Sequence, residues 1–241
     1  MLIATVVGNR PQFVKAAAVS TKLREVAQEV LVHTGQHHDD ELSRIFFDEL
    51  GLPRPEHRLD AGGGTNTGQT AAMLAALEPL LALQAPDVVL VYGDTNSTLA
   101  AALAAAQKRI PVAHVEAGMR SFDRDMPEEL NRVLADHASE ILFCSTPTAV
   151  DNLANENVRE RVHLVGDVMA DVALAFLPMA KMPAFYESFI YLIFLWVSLS
   201  TSWALLSGFA GYFSLGHAAF FGVGVYTTAA QIGRASCRER V

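Results

Sequence analysis

Residues 88–97 read Val-Val-Leu-Val-Tyr-Gly-Asp-Thr-Asn-Ser, an apolar run of five residues followed by a glycine and four polar residues. A short apolar run of this kind is typical of a buried strand, and the polar residues after it can begin a helix. The same alternation of β-branched apolar runs with longer segments of helical period extends from Leu2 to Phe176. Strands that alternate with helices in this way predict a parallel sheet covered by helices.

Six strands and six helices are predicted in this part of the chain. The predicted strands are Leu2–Val7, Val30–His33, Val88–Tyr92, Val112–Glu116, Ile141–Cys144 and Val162–Val165. The predicted helices are Gln12–Ala27, Asp39–Leu50, Thr67–Leu83, Thr95–Lys108, Glu128–Ala138 and Thr148–Glu156. We therefore predict an α/β fold with a Rossmann-like, doubly wound parallel sheet. We also expect Asn66 or Thr67 to cap the third of these helices.

The charge of the chain limits the kinds of ligand that it can bind. Its formal net charge is −8, and residues 1–178 contain 14 basic and 24 acidic side chains. An acidic domain argues against non-specific binding to nucleic acid, because phosphate contacts need a basic face. The two cysteines, Cys144 and Cys237, offer no disulfide framework, and the short apolar run Leu2–Val7 follows no basic leader. We therefore expect synthesis in the cytoplasm and a reducing compartment.

The residues that follow each predicted strand are candidate site residues, because ligands bind at the carboxyl ends of the strands in open α/β sheets. The first strand is followed by Gly-Asn-Arg-Pro-Gln-Phe-Val-Lys at residues 8–15. Arg10 and Lys15 lie in and beside the first turn of a helix, where positive charge opposes the helix dipole. An anionic ligand would explain both cations. The alternative is a solvated loop with two surface cations.

Three carboxylates follow the central predicted strands. Asp94 lies at the tip of one strand, where an aspartate can also serve as the N-cap of the next helix. Glu116 ends the next strand on the same side as His114, and a buried carboxylate needs a partner or a chemical role. Glu128 lies in the first turn of a helix, four residues before Arg132, and stabilisation of the helix dipole would by itself explain it. Carboxylates and cations at one sheet edge suit acid–base chemistry on an anionic substrate.

A cluster of histidine and aspartate at residues 37–40 raises the question of a metal site. Consecutive residues at the start of a helix cannot easily all bind the same metal ion, so we expect no metal. The chain also lacks the glycine fingerprint of dinucleotide-binding proteins after its first strand. We interpret the cluster as a polar loop and helix cap in which Gln36 and His37 face the ligand.

Five motifs occur in a fixed order along residues 1–178. They are Gly8-Asn9-Arg10-Pro11 through Lys15, Gly35-Gln36-His37, Tyr92-Gly93-Asp94-Thr95, His114-Val115-Glu116-Ala117-Gly118 and Pro127-Glu128-Glu129-Leu130-Asn131-Arg132. In these motifs the chain resembles the bacterial non-hydrolysing UDP-N-acetylglucosamine 2-epimerases. The resemblance implies that residues 1–178 form the N-terminal half of a two-domain, glycosyltransferase-B-like epimerase fold.

The resemblance also implies a reaction and roles for individual residues. Members of this family interconvert UDP-N-acetylglucosamine and UDP-N-acetylmannosamine by elimination and re-addition of UDP, and they need neither a metal nor nicotinamide. The positions that match the family's catalytic carboxylates are Asp94, Glu116 and Glu128. The positions that match its substrate-binding residues are Arg10, Lys15, Gln36, His37 and Arg132, and His114 is expected to be a structural neighbour. The resemblance further implies a homodimeric parent enzyme.

The second domain of this family supplies a catalytic histidine and most of the contacts to uridine and diphosphate. We expect no counterpart of that domain after residue 178, so that the cleft would have one wall only. We therefore expect negligible turnover from this polypeptide, because the contacts that hold UDP beside the intermediate would be absent.

The sequence changes character after Pro178. No Asp, Glu, Lys or Arg occurs in residues 188–230, and Phe189–Leu206 is long enough to span a bilayer. Residues 185–228 resemble a branched-chain amino-acid ABC transporter permease, and residues 231–241 resemble a translated sequencing adapter. We predict three parts, at residues 1–178, 179–230 and 231–241, with membrane association only through residues 186–230. The alternatives are a natural membrane-tethered nucleotide-sugar binding protein and an ABC transporter permease fragment.

Overall fold

The computed structural model describes residues 1–36 and 52–176, together with Leu195. The chain divides into two compact units, Met1–Met179 and Ala180–Val241, and the elements below all belong to the first unit. Its strands are β1 (Leu2–Val7), β2 (Gln28–His33), β3 (His57–Arg58), β4 (Val88–Tyr92), β5 (Val112–Ala117), β6 (Ile141–Cys144) and β7 (Val162–Leu164). Its helices are α1 (Arg10–Val26), α2 (Asn66–Gln84), α3 (Asn96–Gln107), α4 (Pro127–Ala138), α5 (Pro147–Asn155) and α6 (Val168–Phe176).

The seven strands form one sheet in the order β3-β2-β1-β4-β5-β6-β7, and every neighbouring pair is parallel. The predicted α/β fold with a parallel sheet is therefore confirmed. The strand order reverses between β1 and β4, because β2 and β3 extend the sheet to one side and β5 to β7 to the other. Such a switch point leaves a crevice at the carboxyl ends of the strands, where ligands bind in folds of this type.

Both faces of the sheet are buried by helices. Alternate residues of β1 point to opposite sides, so that Ala4 and Val6 belong to one core cluster and Ile3 and Val7 to another. The first cluster contains buried residues of α2 and α3, among them Met73, Leu77, Leu81, Ala101 and Ala105. The second contains Phe13, Ala16 and Ala17 of α1. Burial on two sides explains why the central strands read as continuous apolar runs.

Some predicted details differ from the structure. Thr65, rather than Asn66 or Thr67, caps α2, because its side-chain hydroxyl accepts a hydrogen bond from the Gly68 amide. The strand β3 and the helix α6 were not predicted, since β3 has two polar residues and α6 is apolar on nearly all sides. The predicted helix Asp39–Leu50 lies outside the described residues.

No helix within residues 1–36 and 52–176 is long and apolar enough to cross a membrane. The predicted membrane segment Phe189–Leu206 lies outside the described residues, apart from Leu195, and so do residues 231–241. The proposed boundaries of the three parts of the chain therefore stay predictions.

Candidate functional site

Asp94 follows β4 at the switch point of the sheet and forms an ion pair with Arg132 of α4. Both Nε and Nη2 of the guanidinium donate to Asp94 Oδ2, over 3.0 and 2.6 Å. The helix-cap role considered for Asp94 is wrong, because the Thr95 hydroxyl caps α3 by accepting from the Thr98 amide. The Asp94 side chain stays 33% exposed at the sheet edge while it pairs with Arg132.

Glu116 lies on an irregularity near the end of β5, where the pairing register with β6 shifts. Its φ of +69° is in the left-handed region that side-chain-bearing residues seldom occupy. Lys15 is a buried residue of α1, and its ammonium group donates to Glu116 Oε2. Strain of this kind is concentrated at functional positions, where the surrounding structure holds it in place. The ion pair also explains why Lys15 lies near the amino end of a helix.

Asp94, Glu116 and Arg132 line a cleft of about 150 Å³ at the carboxyl edge of the sheet. We call it the first cleft, and it is lined by Gly93, Asp94, Glu116, Met119, Arg132, Ser145 and Asp167. Two carboxylates in it are each paired with a cation, Asp94 with Arg132 and Glu116 with Lys15. Carboxylates can exchange protons with a bound ligand, so the first cleft is suited to acid–base chemistry.

A second cleft, of about 260 Å³, adjoins the first and shares Asp94 with it. Its other lining residues are Asn9, Gln36, Asn66, Thr95, Asn96, Glu128 and Asn131. Gln36 is held at this cleft by the Ser97 hydroxyl, which donates to Gln36 Oε1 over 2.7 Å. The structure therefore places Glu128 and Gln36 in the second cleft, and Glu116 in the first.

Glu129, the neighbour of Glu128, is buried and binds the loop before α4. Its carboxylate accepts hydrogen bonds from the Ser121 and Phe122 amides, at 2.9 and 3.0 Å, and from Arg132 Nη1 at 3.0 Å. Burial acts to raise the pKa of Glu129, but these donors outweigh it and lower the pKa to about 2. Glu129 thus fixes the arginine that pairs with Asp94. Sequence reasoning missed this role, because both glutamates fitted a helix-dipole explanation.

A network of buried charges lies beneath the first cleft. His114 bonds to Asp136 through Nδ1 and to the Gly93 carbonyl through Nε2, both over 2.7 Å. Arg120 donates to Asp136 and makes a bidentate pair with Glu156. Burial acts to raise the pKa of Asp136, but His114 and Arg120 lower it below its usual range. The bond from Arg120 likewise lowers the pKa of Glu156, against the effect of burial.

A family model described as UDP-N-acetylglucosamine 2-epimerase matches residues 20–189. The chain belongs to this family. Solved structures of the family share its fold: the crystal structure of the Methanocaldococcus jannaschii UDP-GlcNAc 2-epimerase in complex with UDP-GlcNAc and UDP superposes with a TM-score of 0.74 at 42% identity. The match covers 78% of this chain and 53% of that one.

Two curated relatives of this epimerase-family chain have still higher identity. A UDP-N-acetylglucosamine 2-epimerase homolog of Methanococcus maripaludis is 55% identical over 174 residues, covering 72% of this chain and 49% of the relative. The UDP-2,3-diacetamido-2,3-dideoxy-D-glucuronate 2-epimerase of Pseudomonas aeruginosa is 50% identical over 188 residues, covering 76% and 53%. The chain spans about half the length of the curated relatives that it matches.

The remaining predicted residues of this epimerase-family site lie at the same sheet edge or outside the described part. Arg10 begins α1 and is exposed. His37 lies outside the described residues. Within residues 1–36 and 52–176, no three His, Cys, Asp or Glu side chains are arranged to hold a metal ion. The prediction that the carboxylates act without a metal stays a prediction.

Proposed function

We propose that residues 1–178 supply the acid–base half of a UDP-N-acetylglucosamine 2-epimerase. The observation that supports this most strongly is the first cleft, in which Asp94 and Glu116 are each paired with a cation at the switch point. The choice of substrate is supported by the family to which the chain belongs and by a family structure in complex with UDP-GlcNAc and UDP.

Epimerisation at C2 requires groups that can exchange protons on both faces of the sugar. A base removes the C2 proton as the bond from C1 to the UDP oxygen breaks, which gives an unsaturated sugar and free UDP. Proton delivery to the other face of C2, with re-formation of the C1–O bond, completes the inversion. Asp94 and Glu116 are ionised partners of Arg132 and Lys15, and each is suited to accept a proton. We assign Glu128 to the same set as a residue that reaches the substrate from the second cleft.

We propose that substrate contacts come from the cations and polar groups around these carboxylates. Arg132 and Lys15 lie in the site through their ion pairs. Arg10 and Gln36 flank it at the start of α1 and in the second cleft, and His37 completes the proposed set. Without a second domain, residues 1–178 should bind the nucleotide sugar but not convert it, because this domain forms only one wall of the cleft.

The proposal is tested by binding and turnover together. The 241-residue chain should bind UDP-GlcNAc in an isothermal titration, and Asp94→Asn should retain folding as judged by circular dichroism. A fusion of residues 1–178 to the second half of the M. jannaschii enzyme should convert UDP-GlcNAc to UDP-ManNAc. In D₂O, the sugar should take up deuterium at C2. Loss of turnover by at least about 10²-fold is expected in D94N and E116Q fusions. A wild-type fusion that binds UDP-GlcNAc but never exchanges the C2 proton would disprove the proposal.

A second candidate substrate is UDP-2,3-diacetamido-2,3-dideoxy-D-glucuronate. It is favoured by the 50% identity to the P. aeruginosa enzyme named for that substrate, against 44% to the M. jannaschii relative named UDP-N-acetylglucosamine 2-epimerase. The same carboxylates would act at C2 of either sugar. Comparison of kcat/KM for the two nucleotide sugars in the fused enzyme distinguishes them, and a ratio above 10 in either direction decides the assignment.

We also propose the three-part organisation of the chain, with an enzyme domain at residues 1–178 that acts in the cytoplasm as a homodimer. Residues 179–230 would be a foreign permease-like segment and residues 231–241 an adapter-like tail. The composition change after Pro178 supports the first boundary. Independent long sequencing reads across codons 178–185 test it, and reads that continue intact past Val241 into coding sequence would contradict it. Sedimentation equilibrium of residues 1–179 tests the dimer.

A further inference from the structure

His114 is fully buried, and both of its ring nitrogens face oxygen atoms that accept hydrogen bonds. Nε2 lies 2.7 Å from the Gly93 carbonyl oxygen, which can only accept, so Nε2 carries a proton. Nδ1 lies 2.7 Å from Asp136 Oδ1. The other oxygen of that carboxylate already accepts from the Gly118 amide at 3.0 Å and from Arg120 at 2.7 Å.

The protonation state of the ring follows from these contacts. An ionised Asp136 has no proton to offer, so Nδ1 must donate as well. Either neutral tautomer of His114 would direct a nitrogen lone pair at an oxygen, towards Asp136 in one case and towards Gly93 in the other. Only the imidazolium form satisfies both acceptors.

We propose that His114 is a buried imidazolium that positions the two carboxylates of the first cleft. This inference rests on the proposed function, since it assigns a positioning role in that reaction. The Gly93 carbonyl that His114 holds belongs to the peptide that leads into Asp94. The Gly93 amide donates to the Val115 carbonyl at 2.9 Å, and Glu116 follows directly. The ends of β4 and β5, which carry Asp94 and Glu116, are therefore tied to each other through His114 and Gly93.

The groups around His114 come from three elements of the fold. Asp136 of α4 faces Nδ1, and Arg120 from the loop after β5 holds the far oxygen of Asp136 and pairs with Glu156. Cys144 of β6 is neutral, because burial and the charge of Asp136 raise its pKa to about 11. Among these described groups, Asp136 is the charged side chain that contacts the ring directly, and its carboxylate accepts the hydrogen bond from Nδ1.

Histidine ring NMR tests the charge state without any need for activity. In the ¹⁵N-labelled 241-residue chain, His114 should show two ring N–H protons from pH 6 to pH 8. Asp136→Asn offers an amide N–H to Nδ1 and should leave only the Nε2–H. His163, an exposed histidine of β7, serves as the internal control for the ring signals. A single ring N–H on wild-type His114 throughout this range would overturn the inference.

Amide NMR signals and kinetics test the positioning role of His114 separately from its charge state. In Asp136→Asn the backbone amide signals of Asp94 and Glu116 should move, whereas His163→Gln should leave both in place. In the fused enzyme, Asp136→Asn should lower kcat about 10²-fold with KM changed less than threefold, as expected for displaced catalytic groups. Unmoved amide signals with an unchanged kcat would disprove positioning. A fusion inactive even as wild type would count against the proposed function, and the amide signals would still decide the role of His114.

Discussion

Glu129 and Glu128 are adjacent in sequence but lie in different surroundings. The Glu129 side chain is 4% exposed and accepts from two backbone amides and Arg132, whereas Glu128 is exposed beside the second cleft. The pKa of Glu129 falls from 4.5 to about 2 on folding, so its ionised form is favoured in the folded state. This group therefore contributes stability above its unfolded pKa, and that contribution is lost as the pH falls from 4.5 towards 2.

We predict that Glu129→Gln lowers the free energy of unfolding by about 2 kcal/mol at pH 7, since the amide still fills the site but lacks the charge. The difference between wild type and variant should shrink as the pH is lowered from 4.5 to 2.5. Urea unfolding at several pH values measures both effects, with Glu128→Gln as the matched control. An equal loss in the two variants would contradict the buried role of Glu129.

Gly8 is required by a close approach between β1 and α3. A Cβ at this position would overlap Ser97 Oγ and Thr34 Oγ1, and it would lie 2.9 Å from Ser97 Cβ. We predict that Gly8→Ala costs about 3 kcal/mol of stability, which is the upper range for overpacking a buried site. Gly64 has φ +80° with nothing near its missing side chain, so Gly64→Ala should cost only about 1 kcal/mol of backbone strain. Thermal unfolding of both variants checks this order, and equal losses would refute the packing argument.

Sequence motifs identified the candidate carboxylates, but they did not identify the side chains that fix those carboxylates in place. Asp94 and Glu116 could be singled out because each follows an apolar run that ends at the sheet edge. Asp136 and Arg120 could not be singled out in this way. Their contact joins two residues that are 16 positions apart in the sequence, and it depends on how the loop between them folds. The strained φ of Glu116 was likewise invisible in the sequence, because it depends on a local shift in strand pairing.

At the scale of helices and strands, the polar side chain of Gln12 joins α1 to α3. Gln12 Nε2 donates to the Tyr92 carbonyl at 2.6 Å and to the Thr95 hydroxyl at 2.9 Å, while its Oε1 accepts from the Gly8 amide at 2.7 Å. Thr95 thus caps α3 and also accepts from a buried amide. Thr65 caps α2 on the surface.

We predict that Thr95→Ala costs about 2 kcal/mol and Thr65→Ala about 1 kcal/mol, since both lose a helix cap but only the first also loses a hydrogen bond from the buried Gln12 side chain. Chemical denaturation of the two variants measures the difference. A larger loss in Thr65→Ala would show that the contact with Gln12 adds no stability.

The central elements could be predicted because their apolar residues follow a clear period. The strands β1, β4 and β6 have the predicted bounds, since each is a short run composed almost entirely of apolar residues. β3 could not be found in this way, because the pair His57–Arg58 becomes a strand only through its contact with β2. The apolar helix α6 lacks the polar face by which a helical period is recognised.

At the scale of the whole molecule, the boundary of the first compact unit makes a prediction about truncation. A chain that ends after Met179 should keep the complete sheet, because all seven strands lie within Met1–Met179. A chain that ends after Ala138 should fail to fold, since it lacks β6, the neighbour of β5. Circular dichroism and amide NMR spectra distinguish the two outcomes. An unfolded 1–179 chain would disprove the independence of this unit.

The strand order also determines when the sheet can close during synthesis. β1 pairs with β2 early, but its other neighbour, β4, begins at Val88. The 54 residues between His33 and Val88 take roughly three to ten seconds to synthesise at the usual rate of translation. During that interval one edge of β1 is unpaired, and unpaired strand edges are sites of aggregation. A nascent chain on the ribosome is therefore most vulnerable before β4 emerges, and chaperones that bind extended apolar segments should act in that interval.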